Sequence, residues 1–261
     1  MESRDIEHWA KVLHQSRLEG KAIEQISNKI QDFKRSDAYS IQELGIAMRK
    51  EAGEKVIGQK MGLTSESKRK QMNLDSPLYG ELTDKMKVEN KGTFNLQGSI
   101  HPKIEPEIAF LMGKTLTGKV TREEAVAAVK SAASCMEILD SRYQGFKYFS
   151  MEDVISDNSS SSHFVVGPWK KDLTGIDWKN LKMKMYVNGQ LAQEGISSAI
   201  SDDPIMSIVQ LVELMGQRGR SVEAGMIVLA GAATTAVALG PGMKVKLTVD
   251  MFEPTEVEVS R

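Results

Sequence analysis

The sequence predicts an α+β chain in which a helical amino-terminal region, residues 1–54, covers a larger β-rich domain, residues 55–261. Three observations predict it. Apolar residues recur at helical spacing as far as Met48, and at Lys55 the pattern switches to short runs bounded by Gly, Pro and Asn. Asn188-Gly189 follows directly on the alternation of Met183, Met185 and Val187, a hairpin signal because both residues tolerate the positive φ of a tight turn.

In chain order, Ile6, Trp9, Val12 and Leu13 mark a first helix stopped by Gly20. Ile23, Ile26, Ile30 and Phe33 repeat that spacing, and Ile41, Leu44 and Met48 do so again before Gly53. The clearest strands are Ile104 to Met112, Leu181 to Val187, Met243 to Val249 and Glu256 to Val259, the third preceded by a Pro241-Gly242 turn. Two helices interrupt them. Thr121 and Glu124 have the spacing of a capping box ahead of Ala125, Ala128, Val129 and Ala132, and Asp203-Pro204 opens the apolar face Ile205, Ile208, Val209, Val212 and Met215. Ser159 to Ser162 reads as a loop or strand edge within the body.

Composition narrows the function. With 34 basic and 35 acidic residues and a formal charge of −1, the chain has no global field to draw in nucleic acid, and 41% hydrophobic content is enough for a packed core rather than disorder. A single cysteine, Cys135, excludes an intramolecular disulfide and a cysteine-based zinc site; with no apolar core in Met1 to Asp5, a reducing cytoplasm is the expected address. No run approaches the roughly twenty apolar residues needed to cross a bilayer.

Glu105 and Glu107, in Ile104-Glu-Pro-Glu-Ile108, lie at i and i+2 and share one face of a strand, within reach of one cation. The competing reading is an edge strand with a solvated acidic face, which Pro106 fits. Glu137 is a third acid set in an apolar run, Cys135 to Leu139. Three hard oxygen donors favour Mg²⁺ or Mn²⁺ over zinc. Lys60, flanked by Gly58 and Gly62, is either a solvated lysine or a cation pointing into that acidic site, where it would stabilise a developing enolate oxygen. None of His8, His14, His101 and His163 has a partner at a recognisable catalytic spacing.

Five ordered blocks then carry a resemblance over nearly the whole chain: Gly58 to Thr64, Ser76 to Gly80, His101 to Glu107, Glu137 to Tyr143 and Asp157 to Ser161. They resemble the hydratase and decarboxylase family of the meta-cleavage pathway for aromatic compounds, related to fumarylacetoacetate hydrolase. The resemblance implies a mixed β-roll core, a divalent metal held by Glu105, Glu107 and Glu137, and Lys60 as the active-site lysine. Hydratases of this family carry an acid where this chain has Leu78; the decarboxylase branch is apolar there and matches Asp140 to Tyr143 and Phe146-Lys147. Two departures stand out: Ala230-Gly231 where relatives have Thr-Gly, leaving Thr234 as the matching hydroxyl, and Met243 where they have Asp.

The implied reaction is loss of CO₂ from 2-oxohex-3-enedioate, the metal chelated by the C1 carboxylate and 2-oxo group while Lys60 donates a hydrogen bond or a proton. Leu78 would form an apolar wall. Arg142 would grip a substrate carboxylate or else pair with Asp140 or Asp153, and Asn158 and Ser160 would orient neighbouring groups or simply make a turn. The resemblance further implies a homo-oligomer and a complex with the pathway hydratase. A hydratase, a non-catalytic partner subunit and an acylpyruvate hydrolase are the rival readings.

Overall fold

The computed structural model describes residues 1–65, 69, 76–146 and 150–261; Lys147 lies outside them. Two helices open the chain, α1 (Ser3–Glu19) and α2 (Arg35–Glu51). They bury Ala10, Leu13 and Ile41 against Ile26 and Tyr143. The helical spacing of Ile23 to Phe33 does not make a helix: only the single 3-10 turn Ile26–Asn28 forms. Tertiary partners take its backbone groups instead. Ile23 N–H donates to Arg142 O at 2.9 Å, Gln144 N–H to Ile23 O at 2.8 Å, and Ser27 N–H to the Asp153 carboxylate at 3.0 Å.

The body is built from β1 (Val56–Gly62), β2 (Leu78–Thr83), β3 (Lys87–Val88), β4 (Gly92–Asn95), β5 (Lys103–Met112), β6 (Val129–Leu139), β7 (Ser161–Val166), β8 (Lys182–Val187), β9 (Gln190–Ile196), β10 (Ile227–Leu229), β11 (Val237–Ala238), β12 (Lys244–Val249) and β13 (Thr255–Ser260). Among the described residues, three short or amphipathic helices connect them: α3 (Arg122–Ala128), α4 (Met151–Ser156) and α5 (Pro204–Gly216). The larger sheet runs β2-β1-β10-β5-β6-β7-β3, with β11 on the far end of β5, and the smaller runs β4-β13-β12-β8-β9. Both are mixed, since β1–β10, β3–β7 and β4–β13 are parallel pairs among antiparallel ones. One core joins them, containing Met61, Ile108 and Phe110 from the larger sheet and Met183, Met185 and Leu247 from the smaller. Each such buried side chain contributes about 1.5–3 kcal/mol relative to exposure.

Most local signals are obeyed. The Asn188-Gly189 turn joins β8 to β9 with φ of 51° and 80°. Asp203 caps α5 by accepting from Ile205 N–H at 2.9 Å. The alanine-rich helix is a correction. Thr121 and Glu124 do form the capping box, but α3 stops at Ala128 and Val129 to Leu139 is β6. β6 is paired on both sides, by β5 and β7. Ser131, Ala132, Ala133 and Ser134 are almost wholly buried there, so packing overrides alanine's helix propensity.

Pro106 does not mark an edge, as the competing reading had it. β5 is not an edge: it lies between β10 and β6. Pro106 is tolerated because β10 pairs only with Ala109 to Leu111 and β11 only with Lys103 and Ile104. Between those stretches Pro106 accepts one bond through its carbonyl, from Ala233 N–H at 3.1 Å, and has no N–H to leave unpaired.

Candidate active site

The register of β5 on β6 sets Glu105 opposite Glu137 and Glu107 opposite Cys135, so alternation puts Glu105, Glu107 and Glu137 on one face. One carboxylate oxygen from each lies within 4.8 Å of the others. Glu107 and Glu137 are fully buried and Glu105 half-buried, which excludes the solvated-face reading of this pair. Gly231 N–H donates to Glu107 Oε2 at 2.8 Å, and Ser161 Oγ donates to Glu137 Oε1 at 2.9 Å.

The other oxygens are less well served. Among the described residues Glu107 Oε1 is buried without a hydrogen-bond partner, and Glu137 Oε2 has only the Lys60 ammonium, at 2.9 Å. Lys60 comes from β1, which reaches β5 through the intervening β10, and is 2% exposed. It also donates to Ser159 O at 3.1 Å and Ser159 Oγ at 3.2 Å. Burial opposes its charge, but Glu137, Glu105 and Glu107 outweigh burial and hold its pKa above the usual lysine value. Burial, then Glu137 and Glu105, push the Glu107 carboxyl well above its usual range against the pull of Lys60 and the Gly231 N–H.

Among the described residues, three carboxylates meet one ammonium, and a negative charge buried in this way is costly without a cation to share it. The orphaned Glu107 oxygen and an all-oxygen donor set fit a hard divalent ion, with room for water or substrate oxygens in the remaining positions.

Ser159 reaches Lys60 from a turn in which Asn158, Ser159 and Ser160 have φ of 49°, 57° and 54°. A left-handed conformation costs a non-glycine residue about 1–2 kcal/mol, so this turn must be held. Asn158 does so by pairing both amide atoms with the backbone of Glu81 in β2, at 2.8 and 2.9 Å. A Cβ at Gly80 would come within 2.7 Å of Asn158 O, so glycine there lets the turn lie flat on β2. Asn158 is thus a clamp behind the site.

Arg142 is also placed behind the site and does not grip substrate. Its guanidinium is consumed by the Asp157 carboxylate and by the carbonyls of Asp140, Asp157 and Ser161, and it is 5% exposed. The ion-pair alternative holds, with Asp157 rather than Asp140 or Asp153 as partner. Arg142→Ala strands a buried carboxylate and should cost about 3–5 kcal/mol of stability, read as a lower urea midpoint. An unchanged midpoint would mean that the pair does not hold the turn.

A cavity of about 700 Å³ opens over the acidic face. Leu78, Leu139, Met151, Val154 and Phe146 form its apolar wall, while Lys60, Glu105, Ser160 and Thr234 are among its polar lining. Leu78, Ser160 and Thr234 therefore border the space expected for substrate; Asn158 and Arg142 do not. Neither His101 nor His163 lines it. His101 Nε2 meets Tyr143 O at 3.0 Å, and His163 packs on Phe94, with burial pushing its pKa down to about 4.

Gly231, Ser159 and Ser161 were not singled out as individual site residues by their sequence pattern. Gly231 is required twice over: its φ is 106°, and a Cβ would lie 2.4 Å from Thr64 Oγ1. The neighbouring departure, Ala230, is buried in the core and takes no part in the cavity lining.

The family model described as fumarylacetoacetate (FAA) hydrolase C-terminal matches residues 63–260. The chain belongs to the fumarylacetoacetate hydrolase family. Within that family, a 4-oxalocrotonate decarboxylase from a Pseudomonas species is 46% identical over 244 residues, 94% of each chain. A 2-hydroxyhexa-2,4-dienoate hydratase from Comamonas testosteroni is 32% identical over 248 residues, again 94% of each. The solved 4-oxalocrotonate decarboxylase from Pseudomonas putida G7, complexed with magnesium and adipate, is 31% identical and gives a TM-score of 0.94, covering 99% of this chain and 98% of that one. The mixed-sheet core expected from the sequence blocks is therefore the fumarylacetoacetate hydrolase fold. Among the described residues, no helix is long and apolar enough to cross a membrane.

Proposed function

We propose that the chain is a divalent-metal-dependent decarboxylase that converts 2-oxohex-3-enedioate to 2-hydroxypenta-2,4-dienoate and CO₂ in the meta-cleavage breakdown of aromatic compounds. The observation that carries this reading is the buried Glu105–Glu107–Glu137 cluster with Lys60, set beneath a cavity whose wall at Leu78 is apolar. It is supported by the 46% identical decarboxylase.

Glu105, Glu107 and Glu137 would hold Mg²⁺ or Mn²⁺, which when bound supplies a Lewis acid for the oxygens of a 2-oxo acid. In the substrate the C5–C6 bond breaks, its electron pair forms the C4–C5 double bond, and the former C3–C4 pair shifts to C2–C3. The carbonyl pair ends on the 2-oxo oxygen. Lys60, held by Glu137 and Ser159, presents a cation to the charge that gathers there and can return a proton. Leu78, Leu139 and Val154 give the chamber an apolar wall, which favours departure of neutral CO₂, and they offer no base to activate water.

The hydratase reading draws on the 32% identical relative but asks for a proton-handling group where this chain has Leu78. The native protein should release CO₂ from the dicarboxylate and leave the dienol unhydrated, and Leu78→Asp should slow gas release at least about tenfold. Efficient hydration of the dienol by the native chain without any gas would overturn the assignment. A cytoplasmic homo-oligomer working beside the hydratase that consumes its product completes the reading. Sedimentation of the protein with and without that hydratase tests it.

A further inference from the structure

We propose that Lys103 binds the substrate carboxylate that is to be lost, and so selects dicarboxylates over monocarboxylates; this rests on the decarboxylase reading for the identity of the substrate but not for the binding it predicts. Lys103, Glu105 and Glu107 occupy alternate positions of β5 and therefore share one face. Burial grades along that row. Glu107 is fully buried at the floor, while Glu105 and Lys103 are half-buried and line the cavity. Lys103 also stands opposite Leu139, which lines the same cavity two residues beyond Glu137.

Length sets the match. Strand positions two apart are about 7 Å apart along the chain, so Lys103 stands one such step outward from Glu105. A six-carbon diacid, five bonds of about 1.5 Å, spans about 6 Å when extended. With its oxo-acid end against the acidic cluster, its other carboxylate arrives at the level of Lys103.

Charge points the same way. Among the described residues, the cavity lining contains two lysines, Lys60 and Lys103. The Lys60 ammonium is committed to the acidic end of the cavity, with Glu137 Oε2, Ser159 O and Ser159 Oγ as its protein contacts. Among the described residues Lys103 makes no ion pair. Its ammonium rests over the Phe146 ring, 4.2 Å from the centroid, a contact that orders the side chain while leaving its protons free for an anion. The other residues lining the cavity are apolar, hydroxyl-bearing or acidic, so among the described residues Lys103 is the cation available to a second carboxylate.

The ion pair belongs to the bound substrate and weakens as the carboxylate becomes neutral CO₂. Removing an interaction that is stronger in the ground state than in the transition state raises KM without lowering kcat. Because Lys103 is partly solvated, the pair is screened and modest. That lets the cation recruit a dianion without trapping it, and the product, which lacks that carboxylate, loses the contact and leaves.

The test uses the full-length protein with magnesium chloride, titrated calorimetrically with adipate and, separately, with hexanoate. The native chain should prefer adipate, Lys103→Met should weaken adipate roughly three- to tenfold with hexanoate unchanged, and Lys103→Arg should retain the preference. With the oxo-dicarboxylate, Lys103→Met should raise KM with kcat equal or higher. Equal affinity of the native chain for the two acids, unchanged adipate affinity in Lys103→Met, or a fall in kcat with KM constant would each overturn the proposal. Failure of the decarboxylase reading has a separate signature, no CO₂ from the native protein, and would leave the adipate preference standing.

Discussion

Glu107→Gln should abolish turnover while making the metal-free protein more stable. Loss of one anionic ligand removes several kcal/mol of transition-state stabilisation, a fall of about a thousandfold or more in rate. Magnesium affinity, measured by calorimetry, should drop in parallel. Stability moves the other way because, without the ion, Glu107 is a fully buried carboxylate facing two others and one ammonium. The amide keeps an oxygen for the Gly231 N–H and discards the repulsion. A relief of about 1 kcal/mol would raise the melting temperature of this chain by roughly 2–4 °C in chelator. The sign with pH follows. A carboxyl whose pKa rises on folding lends stability while protonated and loses it as pH climbs from its ordinary value towards the raised one. The native metal-free chain should therefore weaken over that interval, and the Glu107→Gln variant, whose amide does not titrate, should weaken less. Full activity in the variant would remove the metal-site proposal; a lower melting temperature in chelator would mean that the cluster is not over-charged.

Lys60→Met is expected to do damage on both counts. The native lysine is the cation paired with Glu137 at 2.9 Å in a fully buried setting. Stripping it away leaves carboxylates with no counter-charge from β1 and should cost about 3–5 kcal/mol in the metal-free protein, part of which saturating magnesium should restore. Turnover should fall about 10²- to 10⁴-fold, the range for a lost proton donor or charge stabiliser, with a far smaller change in KM. A variant with native kcat would leave the lysine a structural role alone.

Much of this site is legible in the sequence because its charged groups sit on strands, where a period of two tells which side chains share a face. Glu105 and Glu107 needed no structure to be paired, and Glu137 stood out as a charge in an apolar run. Lys103 continues that same row and was open to the same arithmetic; its lysine simply reads as an ordinary surface residue until the cavity above it is seen. Other parts depend on partners distant in sequence. Nothing local says that Gly231 must approach Thr64, that Ser161 will meet Glu137, or that Ile23 will bond Arg142 and so forgo a helix. Arg142 misleads for the same reason: two residues from Asp140 in sequence, it is claimed by Asp157, which the fold brings to it. The run from Val129 to Leu139 went to a strand because both lateral neighbours were present, which composition does not reveal.

Pro106 has a consequence for the shape of the molecule. A sheet normally demands a continuous seam of donors and acceptors, and whatever strand lies alongside must follow it. At Pro106 the demand lapses by one donor, so the chain from Gly231 to Ala236 can leave β5 between β10 and β11, touching down once at Ala233. That detached stretch is what turns Gly231 towards Glu107 and supplies Ala232, Thr234, Thr235 and Ala236 as one flank of the chamber. The imino acid thereby leaves β5 fully paired with β6 on one side while parting the β10 and β11 seam on the other, and that parting is where the chamber finds its room.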